Sequence, residues 1–256
     1  MQLDLDGRHV LITGASKGIG LACAETFLQE GCRVTLVGRD LLRLEAAAVG
    51  LKRPSQVHVI AADLAHESER IRLHADCRDV DILVNNAGAI PGGGLLDMDM
   101  QVWQTAWSLK VMGYIHLTQL YLADMKDKKA GIICNIIGQA GRTPRYDYIC
   151  GGVGNAALMA FTSAVGGRSV DWGVRVFGIN PSPTRTDRIV GLNKIRAKAL
   201  WGDEERWSEI DSDKRPFGRL IEPQEIAAMA AFLSSPACGY VSGTVVDVDG
   251  GIGFRG

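Results

Sequence analysis

The chain has 256 residues, 46% of them hydrophobic, which is enough to bury a large core in a single α/β domain. Its 28 basic and 29 acidic residues form no long charged run, so the composition argues against nucleic acid and against a membrane surface as partners. Six scattered cysteines without a C-x-x-C pair, and a start unlike a signal peptide, predict free thiols, no metal site and a cytoplasmic location.

The first predicted element is an apolar strand at 10–12, followed by the octet T-G-A-S-K-G-I-G at 13–20 and a helical pattern at 21–28. Gly14 suits a tight turn, Gly18 has no Cβ to hold off a pyrophosphate, and Gly20 lets the helix pack closely on the strand. Phosphates would bind at the helix N-terminus. The octet therefore predicts a dinucleotide site, and the alternative is a glycine-rich turn that binds nothing.

The second predicted strand, 31–39, ends where the adenosine ribose of a dinucleotide would lie. An acid at this strand end would favour NAD, but Gly38 stands there and Arg39 follows it. Arg39 and Lys17 suit a 2′-phosphate, so the sequence predicts NADP, with NAD as the alternative cofactor. The other interpretation is that both cations are ordinary surface charges.

Strands and helices alternate along the rest of the chain. Strands are predicted at 57–61, 80–84, 131–137, 174–179 and 243–251, and helices at 67–77, 99–126, 151–170 and 222–233. This alternation predicts one α/β domain over 1–256, a doubly wound parallel sheet of about seven strands with helices on both faces. The polar segment 184–215, called the insertion below, is interpreted either as a substrate lid or as a plain surface insertion.

Several segments resemble one known family in the right order over nearly the whole chain. They are the octet at 13–20, N-N-A-G at 85–88, N-I-I-G-Q-A-G at 135–141, N-P-S-P-T-R-T at 180–186 and D-G-G at 249–251. Together they resemble the short-chain dehydrogenase/reductase family, which implies a Rossmann-type fold and NAD(P)-dependent hydride transfer between nicotinamide and a carbonyl or alcohol. The cofactor-binding residues that the octet, the second strand and the resemblance indicate are Gly14, Ser16, Lys17, Gly18, Ile19, Gly20, Arg39, Asp63, Leu64, Asn86, Ala87, Gly88, Pro181, Thr184 and Thr186.

The same resemblance locates four positions where the family has catalytic asparagine, serine, tyrosine and lysine. In this chain they hold Lys110, Gly138, Gly151 and Asn155. Tyr146 and Tyr148 lie upstream of the tyrosine position, but no lysine occurs between Lys129 and Lys194 to follow either by four residues. The usual acid–base set is therefore expected to be absent.

Lys110 is the one candidate for a replacement catalytic group. If it points inward, its ammonium would polarise a substrate oxygen or donate a proton. The other interpretation is that its stem lies along the helix and its charge reaches solvent.

Two further clusters allow two interpretations each. Gly151, Gly152 and Gly154 would either make room for a bulky ligand or allow close packing at a subunit interface. Four arginines would either form a cationic rim that favours an anionic ligand or be ordinary surface charges: Arg142, Arg145, Arg185 and Arg188.

The sequence thus predicts an NADP-dependent oxidoreductase that acts on a small molecule by a nonstandard route, assembled as a homo-oligomer, a tetramer or dimer. The alternative is a catalytically inactive NADP(H)-binding sensor or partner subunit, and lyase or isomerase chemistry on the same scaffold is a third interpretation. Retained segments for nicotinamide and substrate favour the first.

Overall fold

A computed structural model describes residues 2–254, without the side chains at 192, 195 and 199. One sheet contains all seven strands, which are parallel and run in the order β3-β2-β1-β4-β5-β6-β7. The strands are β1 (His9–Thr13), β2 (Arg33–Gly38), β3 (Val57–Ala61), β4 (Ile82–Asn85), β5 (Gly131–Ile136), β6 (Val174–Pro181) and β7 (Val245–Val248). The prediction of a doubly wound parallel sheet is confirmed.

Eight α-helices connect and cover the strands. They are α1 (Gly18–Gln29), α2 (Leu41–Gly50), α3 (Glu67–Asp76), α4 (Met100–Leu109), α5 (Val111–Lys128), α6 (Ile149–Ser169), α7 (Asp187–Trp201) and α8 (Pro223–Ser234). Short 3-10 turns join several of them.

Alternate residues of β1 divide the core into two layers. Ile12 packs in a cluster with Phe27 of α1 and Ile226 of α8. Leu11 points to the other face and packs in a cluster with Tyr121 of α5. Because each face of a parallel sheet needs a helical layer, the strands read as continuous apolar runs.

Helix α6 lies unusually close to the sheet at Gly166. A Cβ at this residue would overlap the carbonyl oxygen of Val176 and lie 2.6 Å from Cα of Gly243. Only glycine permits this approach, which fixes α6 against the backbone of β6 and the loop before β7.

The single helix predicted over 99–126 is instead two helices that meet at Lys110. Buried Arg70 of α3 donates a hydrogen bond to the carbonyl oxygen of Ser108 at 3.4 Å and another to that of Leu64 at 2.6 Å. In a continuous helix, the carbonyl oxygen of Ser108 would accept only from a backbone amide of the same helix. Here it also accepts from the side chain of Arg70. Periodicity along one stretch of sequence does not reveal such a donor.

The insertion begins with α7 and continues in 3-10 turns, Glu204–Glu209 and Ser212–Lys214. Ion pairs bind these turns back to α7, from Lys194 to Glu205 at 2.9 Å and from Arg196 to Asp211 at 3.0 Å. The insertion is thus a folded unit above the sheet, and its role as a lid stays a prediction.

Candidate functional site

The strand order reverses between β1 and β4, so the connections leave the two strands toward opposite sides. In open α/β sheets a ligand binds in the crevice that this reversal opens beyond the carboxyl ends of the strands. The octet follows β1, the N-N-A-G segment begins in β4, and the turn at 180–186 begins in β6. The candidate site therefore lies at this edge of the sheet.

Three glycines of the octet are packed where no side chain fits. A Cβ at Gly20 would lie 2.5 Å from the carbonyl oxygen of Gly14, and one at Gly14 would lie 2.9 Å from Cα of Ala87. Gly18 has a φ of +59°, and its Cβ would lie 3.1 Å from Cγ2 of Thr186. These contacts bring the octet, the N-N-A-G segment and the turn after β6 together. The surface formed by Gly14, Gly18, Gly20, Ala87 and Thr186 is called the glycine cradle below.

The side chain of Thr13 fixes the N-N-A-G segment to the cradle. Its Oγ1 accepts from the backbone amides of Asn86 at 2.9 Å and Ala87 at 3.0 Å. The Asn86 side chain returns a hydrogen bond to the carbonyl oxygen of Thr13 at 2.9 Å. Sequence analysis did not single out the Thr13 hydroxyl, although its place at the end of β1 was the available signal.

Beneath the cradle, asparagines tie the central strands to two helices. Asn85 donates to Oδ1 of Asn135, its register partner in β5, at 2.9 Å. Asn85 also contacts Thr118 of α5, and Asn135 contacts Thr162 of α6 at 2.9 Å. This buried network holds the strand ends that carry the site and was also missed from sequence, because its members are far apart in the chain.

The end of β2 presents a free cation. Arg39 is exposed, and within residues 2–254 no hydrogen bond or ion pair involves its side chain. Lys17 is 3.7 Å from Asp187 of α7, with both side chains exposed, so solvent screens this pair. Ser16 and Ile19 belong to the same loop.

Asp63 and Leu64 follow β3 on the same edge. Oδ1 of Asp63 accepts from the amide of Ala65 at 3.1 Å, whereas the side chain of Leu64 is buried in the core. The role of Asp63 and Leu64 beside a cofactor stays a prediction.

The turn after β6 is held from within. Oγ1 of Thr184 donates to the carbonyl oxygen of Ser182 at 2.9 Å. The amide of Ser182 donates to the carbonyl oxygen of Val248 at 3.2 Å. This turn begins at Pro181, the last residue of β6, and carries Thr186 to the cradle.

Lys110 points into the cleft and not along its helix toward solvent. Its Nζ donates to the carbonyl oxygen of Ile137 at 2.6 Å, and its stem lies over Gly88, where a Cβ would be 2.8 Å from Cδ. Burial, and then the nearby charge of Arg188, lower the pKa of Lys110 from 10.5 to about 7. A lysine with this pKa exchanges protons near neutral pH.

Gly138 follows Ile137, the residue whose carbonyl oxygen accepts from Lys110, and it contacts Asn155. Gly138 has a φ of +132°, and a Cβ there would lie 2.9 Å from Nδ2 of Asn155. Asn155 donates to the carbonyl oxygen of Gly138 at 3.3 Å, while its Oδ1 is buried with no partner in the described chain. A buried acceptor without a donor is costly, so Asn155 is an expensive residue for this position.

Tyr148 fills the space at Gly151. A Cβ at Gly151 would overlap the ring of Tyr148 and lie 2.6 Å from its hydroxyl oxygen. Gly154 is packed against Trp107 and Val111 of the neighbouring helices. The glycines at 151 and 154 thus serve packing within this chain, which differs from both interpretations offered above. The polar groups of Lys110, Tyr148 and Asn155 are called the polar cluster below.

Three of the four rim arginines are paired with carboxylates. Arg142 contacts Asp247 at 2.8 Å, Arg145 contacts Asp147, and Arg185 contacts Glu222 at 2.7 Å. Arg188 instead donates to the carbonyl oxygen of Ile90. The expected rim therefore has little free positive charge outside Arg188.

Two features of the described chain bear on metal ions and on membranes. Within residues 2–254, no group of three or more His, Cys, Asp or Glu side chains could hold a metal ion. The stretch 149–172, which contains α6, is long and apolar enough to cross a membrane, but 44% of its best window is buried inside the protein.

The fold and the glycine cradle define a doubly wound α/β protein of the Rossmann type. A family model described as short chain dehydrogenase matches residues 8–196. The chain therefore belongs to the short-chain dehydrogenase family, as the sequence motifs predict.

Relatives and solved structures extend this similarity. The 3-oxoacyl-(acyl-carrier-protein) reductase FabG of Vibrio cholerae is 30% identical over 264 residues, which cover 98% of this chain and 99% of that protein. L-sorbose reductase from Gluconobacter frateurii, solved with NADPH and L-sorbose, has a TM-score of 0.91 and 30% identity, with both chains fully (100%) covered. A variant of actinorhodin polyketide ketoreductase, solved with NADPH, has a TM-score of 0.92 at 26% identity, with 98% of this chain and 99% of the other covered.

Proposed function

We propose that this protein is an NADP(H)-dependent oxidoreductase that interconverts a carbonyl group and an alcohol on a small molecule. The observation that carries the proposal is the glycine cradle, in which a Cβ at Gly14, Gly18 or Gly20 would meet backbone or side-chain atoms. Such a surface lets backbone amides approach a pyrophosphate directly. Reductases solved with NADPH among the structural relatives support the same cofactor.

The residues present fit this cofactor along its length. The octet would hold the pyrophosphate, and Asp63 with Leu64 would border the adenine. Asn86, Ala87 and Gly88 would line the floor, while Pro181, Thr184 and Thr186 would cover the nicotinamide amide. When bound, NADPH supplies a hydride to the carbonyl carbon.

Selection of NADPH over NADH is assigned to Arg39. Its guanidinium is exposed and unpaired in the described part of the chain, and no acid stands at the end of β2 to repel a 2′-phosphate. A planar guanidinium binds a phosphate through two parallel hydrogen bonds. Lys17 adds a second, weaker cation.

Proton transfer is assigned to Lys110 in place of the family's usual residues. Its ammonium faces the cleft from the junction of α4 and α5, and its pKa of about 7 allows it to donate a proton at neutral pH. Gly138, Gly151 and Asn155, at the serine, tyrosine and lysine positions, supply no acid or base of their own. Arg188 lies near Lys110 and has no carboxylate partner among the described residues, so it would accept an anionic substituent of the substrate.

The six cysteines are all free and buried, which suits a reducing compartment and supports the proposed cytoplasmic location. Exposed small residues along α6 also suit the proposed homo-oligomer, a dimer or tetramer: Val153, Ala156, Ala157, Ala160 and Ala164.

A fluorescence titration with NADPH and, in parallel, NADH tests the proposal. We expect the unaltered chain to prefer NADPH, and Arg39→Ala to lose about tenfold in NADPH affinity with little change for NADH. Arg33→Ala is the matched control, because Arg33 begins the strand that Arg39 follows and lies at the opposite edge of the sheet.

If neither NADPH nor NADH binds, the proposal is contradicted. Binding should then be followed by NADPH oxidation assays on a panel of aldehydes and ketones. Nucleotide binding without turnover of any of them would favour the inactive sensor over the oxidoreductase.

A further inference from the structure

Tyr148 and Gly151 form an interlocked pair at the start of α6. The phenol ring lies in the space that any side chain at residue 151 would need, with its hydroxyl oxygen 2.6 Å from the position of that Cβ. The family's proton-donating tyrosine would project from residue 151. Here the ring of Tyr148, three residues earlier, occupies the position that the Cβ of that tyrosine would need.

The backbone around Tyr148 is held on both sides. Its carbonyl oxygen accepts from the amide of Gly152 at 2.9 Å, and its amide donates to the carbonyl oxygen of Arg145 at 3.1 Å. A parallel bridge joins Tyr148 to Gly93 in the loop after β4, and Trp107 donates to the neighbouring carbonyl oxygen of Cys150 at 3.2 Å. The ring itself packs at the edge of an apolar cluster that includes Ile90. Tyr148 is thus held in position, unlike a side chain on a free loop.

The hydroxyl of this well-held ring has no partner. Within residues 2–254 no hydrogen bond involves the Tyr148 oxygen, and the side chain is only half-buried, so solvent or a ligand reaches it. A tyrosine packed by its ring normally pairs its hydroxyl. Tyr146, two residues earlier, differs: it is 61% exposed and its ring lies over Gly94, away from Gly151.

A second unpaired atom lies along the same helix. Oδ1 of Asn155, one turn after Gly151, is buried with no partner, and the residue is only 4% exposed. Its amide is bound to Gly138, whose neighbour Ile137 accepts from Lys110. The three polar groups are thus linked through shared neighbours: Ile137 and Gly138 are adjacent in the chain, and Asn155 follows Gly151, where the Tyr148 ring lies, by one helical turn.

We propose that the Tyr148 hydroxyl donates the proton to the substrate oxygen, and that Lys110 supplies the proton in turn. The proposal rests on the proposed function and adds a second catalytic residue to it. During reduction, the carbonyl carbon gains a hydride from NADPH and the carbonyl oxygen takes the Tyr148 proton. The phenolate regains a proton from the Lys110 ammonium, and the amine takes up a proton (H⁺) from the solvent. The sum is carbonyl, NADPH and one proton giving alcohol and NADP⁺, and oxidation reverses each step.

This proposal explains why residue 151 is glycine. Any larger residue at 151 would displace the Tyr148 ring, because the Cβ of the new residue would overlap that ring. Restoring the family's tyrosine by Gly151→Tyr would therefore displace the group that already serves the site.

The first test compares Tyr148→Phe, which keeps the ring, with Tyr146→Phe as its matched control. We expect Tyr148→Phe to lower kcat for carbonyl reduction by about 100-fold with NADPH affinity unchanged, because a positioned acid contributes about that factor or more. Tyr146→Phe should stay within about twofold of the unaltered chain. Equal activity of Tyr148→Phe and the unaltered chain would overturn the proposal while leaving the proposed function intact.

A second variant pair tests the interlock. Gly151→Ala should lose turnover to a similar extent, whereas Gly167→Ala on the same helix should not, because a Cβ at Gly167 meets nothing within 4 Å. Full activity of a folded Gly151→Ala would also overturn the proposal.

Chemical modification, which needs no turnover, distinguishes failure of the Tyr148 proposal from failure of the proposed function. Nitration of tyrosines by tetranitromethane, followed by mass spectrometry, should slow at Tyr148 when NADPH is saturating and stay unchanged at fully exposed Tyr240. NADPH binding without protection of Tyr148 would overturn the placement of this hydroxyl beside the nicotinamide. Absence of NADPH binding would instead overturn the proposed function, and this proposal with it.

Discussion

The two ends of the cleft are built by opposite means. The glycine cradle works by the absence of side chains, since a Cβ at Gly14 or Gly20 would lie within 3 Å of neighbouring atoms. The polar cluster works by side chains brought from separate elements, with Lys110 from the α4–α5 junction and Tyr148 from the loop before α6. The cradle is therefore defined by local backbone geometry, whereas the polar cluster is defined by long-range packing.

Lys110→Met should have the largest effect and should fall on the polar cluster alone. Methionine keeps most of the stem over Gly88 but removes the ammonium that contacts Ile137. We expect kcat for carbonyl reduction to fall by about 1,000-fold, within the range for loss of an acid, while the Kd for NADPH changes by less than about twofold. Steady-state kinetics and a fluorescence titration measure the two quantities.

Lys126→Met, an exposed lysine on α5, is the control for the loss of a positive charge. Turnover that survives Lys110→Met would show that this ammonium is not part of the reaction.

Gly20→Ala should have the second-largest effect, and this substitution should impair NADPH binding by the glycine cradle. Its Cβ would lie 2.5 Å from the carbonyl oxygen of Gly14 and 2.6 Å from Nδ2 of Asn86, so the octet must shift. We expect a loss of about 100-fold in NADPH affinity and, from overpacking, about 1–3 kcal/mol in the free energy of unfolding. Calorimetric titration and denaturant unfolding measure both.

Gly50→Ala is the matched control, because a Cβ at the end of α2 meets nothing within 4 Å. A Gly20→Ala variant that binds NADPH like the unaltered chain would contradict the assigned role of the cradle.

The smallest expected effect is a difference in pH dependence between the reduction rate, which depends on the polar cluster, and NADPH affinity, which depends on the glycine cradle. Because the pKa of Lys110 is lowered to about 7, its ammonium is lost as pH rises through that value, and reduction should slow by about tenfold per pH unit above it. NADPH affinity should be flat between about pH 7 and 9, because the glycine cradle contains no titratable side chain. A rate profile that is flat over the same range would argue against Lys110 as the proton source.

Protonation of Lys110 should also affect the free energy of unfolding. This free energy should rise with pH over the range in which the reduction rate falls. The unfolded lysine keeps its proton up to about 10.5, whereas the folded one loses it near 7. Between these values the unfolded state binds more protons, so this group's contribution to stability rises with pH and is least below about 7. Lys110→Met should remove that slope in denaturant unfolding.

Most of the fold follows from the sequence, because each strand is a short buried run between turn residues. The glycines of the cradle are likewise recognisable, since their requirement arises from the backbone around them. The break between α4 and α5 at Lys110 could not be recognised in the same way, because the apolar pattern continues across it and the neighbouring hydrogen bond comes from Arg70 of α3.

The polar cluster could be predicted only in part. The sequence identified Lys110 as a candidate but left its direction open, and it gave no sign that Tyr148 fills the space at Gly151. The rim arginines illustrate the same limit, since Arg142 finds its carboxylate at Asp247, more than a hundred (105) residues away in sequence. Partners at such separations are set by the packing of the whole sheet.

The contact of α6 with the sheet at Gly166 limits how ligand size can change. With backbone atoms of Val176 and Gly243 directly against the helix, α6 has no freedom to move outward and enlarge the cleft. Under the proposed function, volume for a larger or smaller substrate would have to come from elsewhere, and the predicted lid is the candidate, since exposed ion pairs join its 3-10 turns to α7. Protein engineering aimed at a new substrate size would therefore vary the insertion and keep α6 unchanged.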